Sequence, residues 1–199
     1  MENKILEIAS LILDFGRVAR KTLHQDGVRA ETDTDHTVML GVLGASIASK
    51  LYKDLDLGLV TQFALVHDLV EVHAGDSDTL TGISDEFLKQ KSDREMKALE
   101  KLKQSFSHDF EWIHKTIEKY ESLDTKEARF VKVLDKIMPK LTVVLNGAAS
   151  INGRSITKAE VKKTFDLQRE KLKELAPDMP ELLEIWESFA ERELVLIIN

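Results

Sequence analysis

ALVHDLVEVHAGD, residues 64–76, carries His67, Asp68, Glu71, His73 and Asp76 in a run otherwise built almost entirely of Ala, Leu and Val. Such apolar residues belong inside a protein, and ionised groups do not. The conflict resolves if the polar side chains meet one another. The pattern predicts a helix over 58–73, ended by Gly75. On a helix, His67 and Glu71 are four apart and Asp68 and Glu71 three apart, so the three form a polar triangle among apolar neighbours. A buried carboxylate is costly unless it is paired or bound to a metal.

Two other stretches repeat the anomaly. His36 opens the apolar run HTVMLGVLGASIASKLY, residues 36–52, and Asp135 sits within FVKVLDKIM, residues 130–138. Pro139 follows Asp135 by four residues and cannot donate the helical hydrogen bond to its carbonyl. A kink beside a polar site and a bend around the core both fit that proline. Together His36, His67, Asp68 and Asp135 make a ligand set of two imidazoles and two carboxylates. Such a set suits one divalent ion of the Mn²⁺, Co²⁺, Fe²⁺ or Zn²⁺ kind better than Mg²⁺ or Ca²⁺, which prefer oxygen alone. Taken singly, each residue has a blander explanation. A lone His on an apolar helix is usually a hydrogen-bonded core residue, and a helical Asp is usually half of an ion pair. From spacing alone, a metal centre and a set of buried polar pairs stand as equal alternatives.

Composition narrows the classes. The chain has 199 residues, 43% hydrophobic and 32% charged, with three prolines and nine glycines, which predicts one globular domain without long linkers. Its net charge of −7 argues against a broad nucleic-acid surface but leaves room for a local basic pocket that takes a small phosphate. Without cysteine there is no disulfide, iron–sulfur cluster or thiolate zinc site, which fits a reducing compartment. The start, MENKILEIASLILDF, places Glu7 and Asp14 in its apolar pattern and lacks a signal peptide's basic start and cleavage site. The end, LVLIIN, has only five consecutive apolar residues, too few to span a bilayer. The expectation is a cytoplasmic protein with no membrane partner, its tail packed on the core or on a second subunit.

Helical periodicity dominates, with helices expected over 3–15, from about 35 with Thr34 or Asp33 as N-cap, and over 58–73, 84–106, 109–121, 125–148, 157–175 and 179–196. Residues 16–35 show no sustained period and read as a loop, GDSDTLTGIS reads as another, and no run alternates convincingly enough to be a strand. The predicted fold is all-α: one domain of seven or eight helices over 1–199, with a metal and catalytic core at about 17–145 and closing helices at 157–196. Trp112 and Trp186 read as packing residues, His73 as a helix-end residue, and His24, His108 and His114 receive no role.

The order His36, His67-Asp68, Asp135 resembles the H…HD…D signature of the HD-domain metal-dependent phosphohydrolases. HDLVEVHAGD is similar to the HDxxExxxGD of the 5′-deoxynucleotidase branch, and YESLDTKEARFVKVLDKI, residues 120–137, to the segment leading into that branch's last Asp ligand. The resemblance covers about Arg17 to Leu145. It implies an all-α fold, one divalent metal held by His36, His67, Asp68 and Asp135, and removal of the 5′-phosphate from nucleoside monophosphates by a metal-activated water. It also implies catalytic roles for Glu71 and Asp76, substrate contact by Arg17, and a homodimer. Phosphate charge needs an offsetting cation: Arg17 first, with Arg20, Lys21, Arg29 and Lys136 in reserve, Lys136 weakly because it points about 100° away from Asp135 around the helix. Asp35 stands where the family often has Glu, and Val18-Ala19 follow Arg17 where the branch commonly has a Trp. These departures keep a dNTP triphosphohydrolase open as an alternative. A non-catalytic nucleotide- or metal-binding protein is the alternative of another class, and the presence of Glu71 and Asp76 argues against it.

Overall fold

The computed structural model describes residues 1–78, 80 and 84–198. In chain order it runs α1 (Glu2–Phe15), β1 (Ala19–Leu23), β2 (Ala30–Thr32), α2 (Asp33–Leu51), α3 (Leu57–Val66), α4 (Glu71–Ala74), α5 (Asp85–Phe106), α6 (Trp112–Glu121), α7 (Lys126–Leu145), α8 (Ala149–Asn152), α9 (Lys158–Leu175) and α10 (Pro180–Leu196). Among the described residues, eight helices have ten residues or more and two have four, so the fold is the expected all-α bundle. Polar side chains start the helices where the sequence supplies them. Asp56, Ser84, Thr125 and Thr157 each accept from the backbone N–H three residues on, satisfying an orphan donor of the first turn. No described helix is long and apolar enough to cross a membrane.

α7 lies at the centre, packed against α2, α3, α6, α9 and α10. Phe130, Leu134 and Met138 on it are fully buried, as are Phe63 on α3 and Trp186 on α10. Each such side chain contributes about 1.5–3 kcal/mol through removal from water. A second apolar cluster joins α1, α5 and α6 to Val66, Leu69 and Val70. The HD stretch therefore has one apolar cluster on each side. Ile197 in the tail packs into the main core, while Val195 and Ile198 face outward.

Four expectations change. Residues 19–32 form an antiparallel pair of strands rather than a loop, with Ala19 opposite Thr32 and Leu23 opposite Ala30, and an irregular register between. The Asp26 carboxylate accepts from the N–H groups of Val28 and Arg29, and Gly27 takes φ 69°, so Asp26-Gly27 makes the turn. The cap of α2 is Thr32, not Thr34 or Asp33, because Thr32 and Asp35 form a reciprocal capping box. The expected 58–73 helix breaks after Val66. Leu69, Glu71 and His73 donate to carbonyls three residues back, a tighter winding that lines Asp68 up with Glu71. Trp112 is 47% exposed and packs poorly, unlike Trp186. α7 passes through Pro139 without interruption. The GDSDTLTGIS loop lies partly outside the described residues, at Thr79 and 81–83.

Arg29 and the Thr32 hydrogen bonds hold the Asp35 carboxyl down at about 2. A depressed carboxyl gives stability that is fully present above its unfolded value near 4 and is lost as pH falls through about 2. Asp35→Asn should lower the unfolding free energy by about 0.3–1.5 kcal/mol at neutral pH. In denaturation curves the gap to wild type should close between about pH 4 and pH 2.

Candidate metal centre

Three elements deliver the cluster. His36 enters from the first turn of α2, His67 and Asp68 from the turn ending α3, and Asp135 from mid-α7. One ligand atom from each of the four lies within 4.8 Å of the others. His36 Nε2 is 3.0 Å from Asp135 Oδ1, and His67 Nε2 is 3.0 Å from Asp68 Oδ2 and 3.8 Å from Asp135 Oδ1. Both imidazoles are buried, with ring centroids 5.3 Å apart.

His67 Nδ1 donates to the Ala64 carbonyl at 2.8 Å. In the neutral ring this leaves Nε2 as a lone pair. That lone pair faces two carboxylate oxygens and has no hydrogen-bond partner among the described residues. Acceptors facing acceptors at 3 Å in a buried place repel unless a positive charge lies among them. Electrostatics give the same sign: burial opposes a charge on His67, yet Asp68 and Asp135 raise its pKa above the ordinary value. Burial and the Arg20 cation lower that of His36. Burial alone would raise the Asp135 carboxyl, but Lys136 and His36 hold it well below the carboxylate range. The donor set and its orphaned nitrogen fit a divalent cation bound by His36, His67, Asp68 and Asp135.

A second acidic group adjoins the first and shares Asp68: Asp33, Asp68 and Glu71 also converge within 4.8 Å. Burial and the neighbouring Asp68, Asp33 and Asp76 push the Glu71 carboxyl up to about 10, and its Oε2 is buried without a partner. Gly75 has φ 73°, which a side chain would strain, and its turn carries Asp76 to the rim of a cavity open to solvent. Asp135, Lys136 and Arg20 share that cavity with Asp76.

The predicted cations distribute differently from expectation. Arg17 is 84% exposed, pairs with Asp14 and does not line the cavity, because it falls in the turn before β1. Arg29 pairs with Asp35, away from the cluster. Arg20 is the cation that reaches the cluster: partly buried on β1, its Nη1 donates to Asp33 at 3.0 Å and Asp68 at 2.9 Å. Lys136 also lines the cavity, and its Nζ lies 2.8 Å from Asp135 Oδ2, so its flexible stem overcomes the unfavourable helical angle. Sequence reasoning passed over Glu31 and Asp33. Glu31 is buried with Oε1 4.0 Å from His36 Nδ1, and burial pushes its carboxyl up to about 7. Their spacing of two, at the end of a strand just before His36, is the signal that would have found them.

The sequence model of the HD domain matches residues 16–179. The human 5′-deoxynucleotidase HDDC2 is 30% identical over 135 residues, spanning 66% of this chain and 63% of that protein. Among solved structures, a predicted metal-dependent phosphohydrolase from Magnetospirillum magnetotacticum MS-1 superposes with a TM-score of 0.70 at 22% identity, covering 98% of this chain and 96% of the other. The PH0347 protein from Pyrococcus horikoshii OT3 superposes with a TM-score of 0.58 at 20% identity, covering 96% and 99%. These two likenesses concern the fold.

Binding to the folded state alone raises stability, by about 2.7 kcal/mol at a hundredfold excess over Kd. Addition of Mn²⁺ should therefore raise the melting temperature of wild type, with one ion bound per chain by calorimetry. Asp68→Ala should lose both effects. An undiminished shift in that variant would place the ion elsewhere.

Proposed function

Because the chain belongs to the HD-domain family of metal-dependent phosphohydrolases, we propose that it removes the 5′-phosphate from nucleoside and deoxynucleoside monophosphates. The observation that carries this reading is the union of a buried cation-demanding cluster with a cavity where Arg20, Lys21 and Lys136 offer positive charge beside it. The 30% identity to a 5′-deoxynucleotidase supports the same substrate class.

His36, His67, Asp68 and Asp135 would hold the ion, and two imidazoles favour Mn²⁺, Co²⁺, Fe²⁺ or Zn²⁺ over Mg²⁺. When bound, such a cation lowers the pKa of a water and offsets phosphate charge. Glu31 Oε1 lies 4.0 Å from Nδ1 of His36, beyond direct hydrogen-bond reach. Arg20 makes both of its carboxylate bonds through Nη1, and the other edge of its five-donor fork is suited to phosphate oxygens. Lys136 adds a second positive group at the same wall. Glu71 is buried with an unpartnered oxygen and a high proton affinity, the properties of a proton carrier between attacking water and leaving oxygen. Asp76, at the rim, orients the water or protonates the leaving group. Exposed Val38 and Val42 on α2 and Leu145 on α7 offer an apolar face to a second copy in a homodimer.

A panel of ribo- and deoxynucleoside mono- and triphosphates with Mn²⁺, Co²⁺ or Mg²⁺ tests the reading. Wild type should release orthophosphate from monophosphates. Glu71→Gln should lower kcat about 10²–10⁴-fold with little change in KM, and Arg20→Ala should raise KM. Release of triphosphate from deoxynucleoside triphosphates, or full activity in Glu71→Gln, would contradict it.

A further inference from the structure

The same cavity holds a second charged group that phosphate hydrolysis does not use. Lys140 follows Asp135 by five residues along α7, about 7.5 Å of helix. Its Nζ lies 3.9 Å from Glu193 Oε2 on α10 and 3.5 Å from Gln168 Oε1 on α9. The Phe165 ring centroid is 3.2 Å from that Nζ and the Trp186 ring 4.8 Å. Lys140, Glu193, Gln168 and Phe165 all line the cavity, and the lysine and glutamate are almost wholly buried.

This pair is under-satisfied. Glu193 Oε2 has no hydrogen-bond partner among the described residues, and the Lys140 bond to Gln168 is at the outer limit of length. Buried polar groups are normally paired, and a buried ion pair is commonly no more stable than apolar residues in its place. Burial opposes both charges. Burial draws the Lys140 ammonium down to about 7 and lifts the Glu193 carboxyl to about 7, against their mutual attraction and the two ring faces beside the ammonium. Pro139, Val143 and Ile151 give the cavity between Asp135 and this pair an apolar wall. A phosphate near Asp135 and Lys136 would lead a sugar along that wall and a flat ring to the pair beside Phe165.

We infer that Lys140 and Glu193 read the nucleobase, selecting bases whose edge presents a carbonyl oxygen next to a ring N–H, as in guanine, hypoxanthine, uracil and thymine. The inference rests on the nucleoside monophosphate reading. The ammonium donates to the carbonyl and the carboxylate accepts from the ring N–H; guanine adds its amino group as a further donor to the carboxylate. Adenine and cytosine reverse the pattern. Their amino group meets the ammonium, and their ring lone pair meets the carboxylate, so both contacts fail.

The test measures binding and turnover side by side, for dGMP against dAMP and dUMP against dCMP, on Mn²⁺-loaded protein. Within each pair of equal ring size, the oxo nucleotide should be favoured about tenfold or more, in Kd and in kcat/KM. Glu193→Gln should narrow the ratio. Lys140→Met combined with Glu193→Leu, which swaps the pair for apolar side chains, should abolish it. A general folding defect scales both members of a pair alike, so the ratio isolates base reading. Equal binding within both pairs, or a ratio that survives the double substitution, overturns the inference. Discrimination in Kd without phosphate release would uphold base reading and sink monophosphate hydrolysis. No nucleotide binding at all would sink both.

Discussion

The hydrogen bond from His67 Nδ1 to the Ala64 carbonyl turns the lone pair of Nε2 toward Asp68 and Asp135. That orientation sets the terms for everything around it. The neighbouring oxygens cannot sit there stably without positive charge, and the protein supplies it from several directions. Arg20 comes from the strand pair and Lys136 from α7. The His36 ring lies against Asp135. The cluster is polar inside and sealed by apolar packing outside, with Leu134 and Phe63 wholly buried beside it.

Rigid packing makes that arrangement specific. Asp135 is carried by the central helix, which contacts most of the others, and its position follows from the buried face of Phe130, Leu134 and Met138. The break after Val66 does the complementary work. A continuous α-helix would leave Asp68 and Glu71 about 60° apart around its axis. Tighter winding brings them to one side, where Asp33 meets them. Function therefore draws on a local departure from helical regularity, held by ordinary hydrophobic burial on both sides.

Much of this was legible in the sequence because periodicity reports burial. Seven of the eight long helices follow apolar spacing and cap residues such as Ser84, Thr125 and Thr157 to within a few residues, while α3 stops at Val66, seven residues before the expected end. The resemblance at His36, His67-Asp68 and Asp135 pointed to the four side chains that the fold brings together. The strand pair was missed because three- and five-residue strands contain too few alternations to register, although Asp26-Gly27 carried the turn signal. That Arg20 rather than Arg17 reaches the acidic cluster was hidden for the same reason: side-chain direction on an irregular two-stranded ribbon depends on a register that spacing does not reveal. Glu31 received no role from the sequence, and Asp33 only that of a candidate N-cap. Lys140 and Glu193 lie 53 residues apart and meet only through the packing of α7 against α10.

Crystals soaked in Mn²⁺ and measured at the manganese absorption edge test the central claim most directly. The account predicts one anomalous peak per chain, about 2.0–2.3 Å from His36 Nε2, His67 Nε2, Asp68 Oδ2 and Asp135 Oδ1. A fully occupied peak elsewhere, or an intact cluster that stays empty at saturating Mn²⁺, would contradict it.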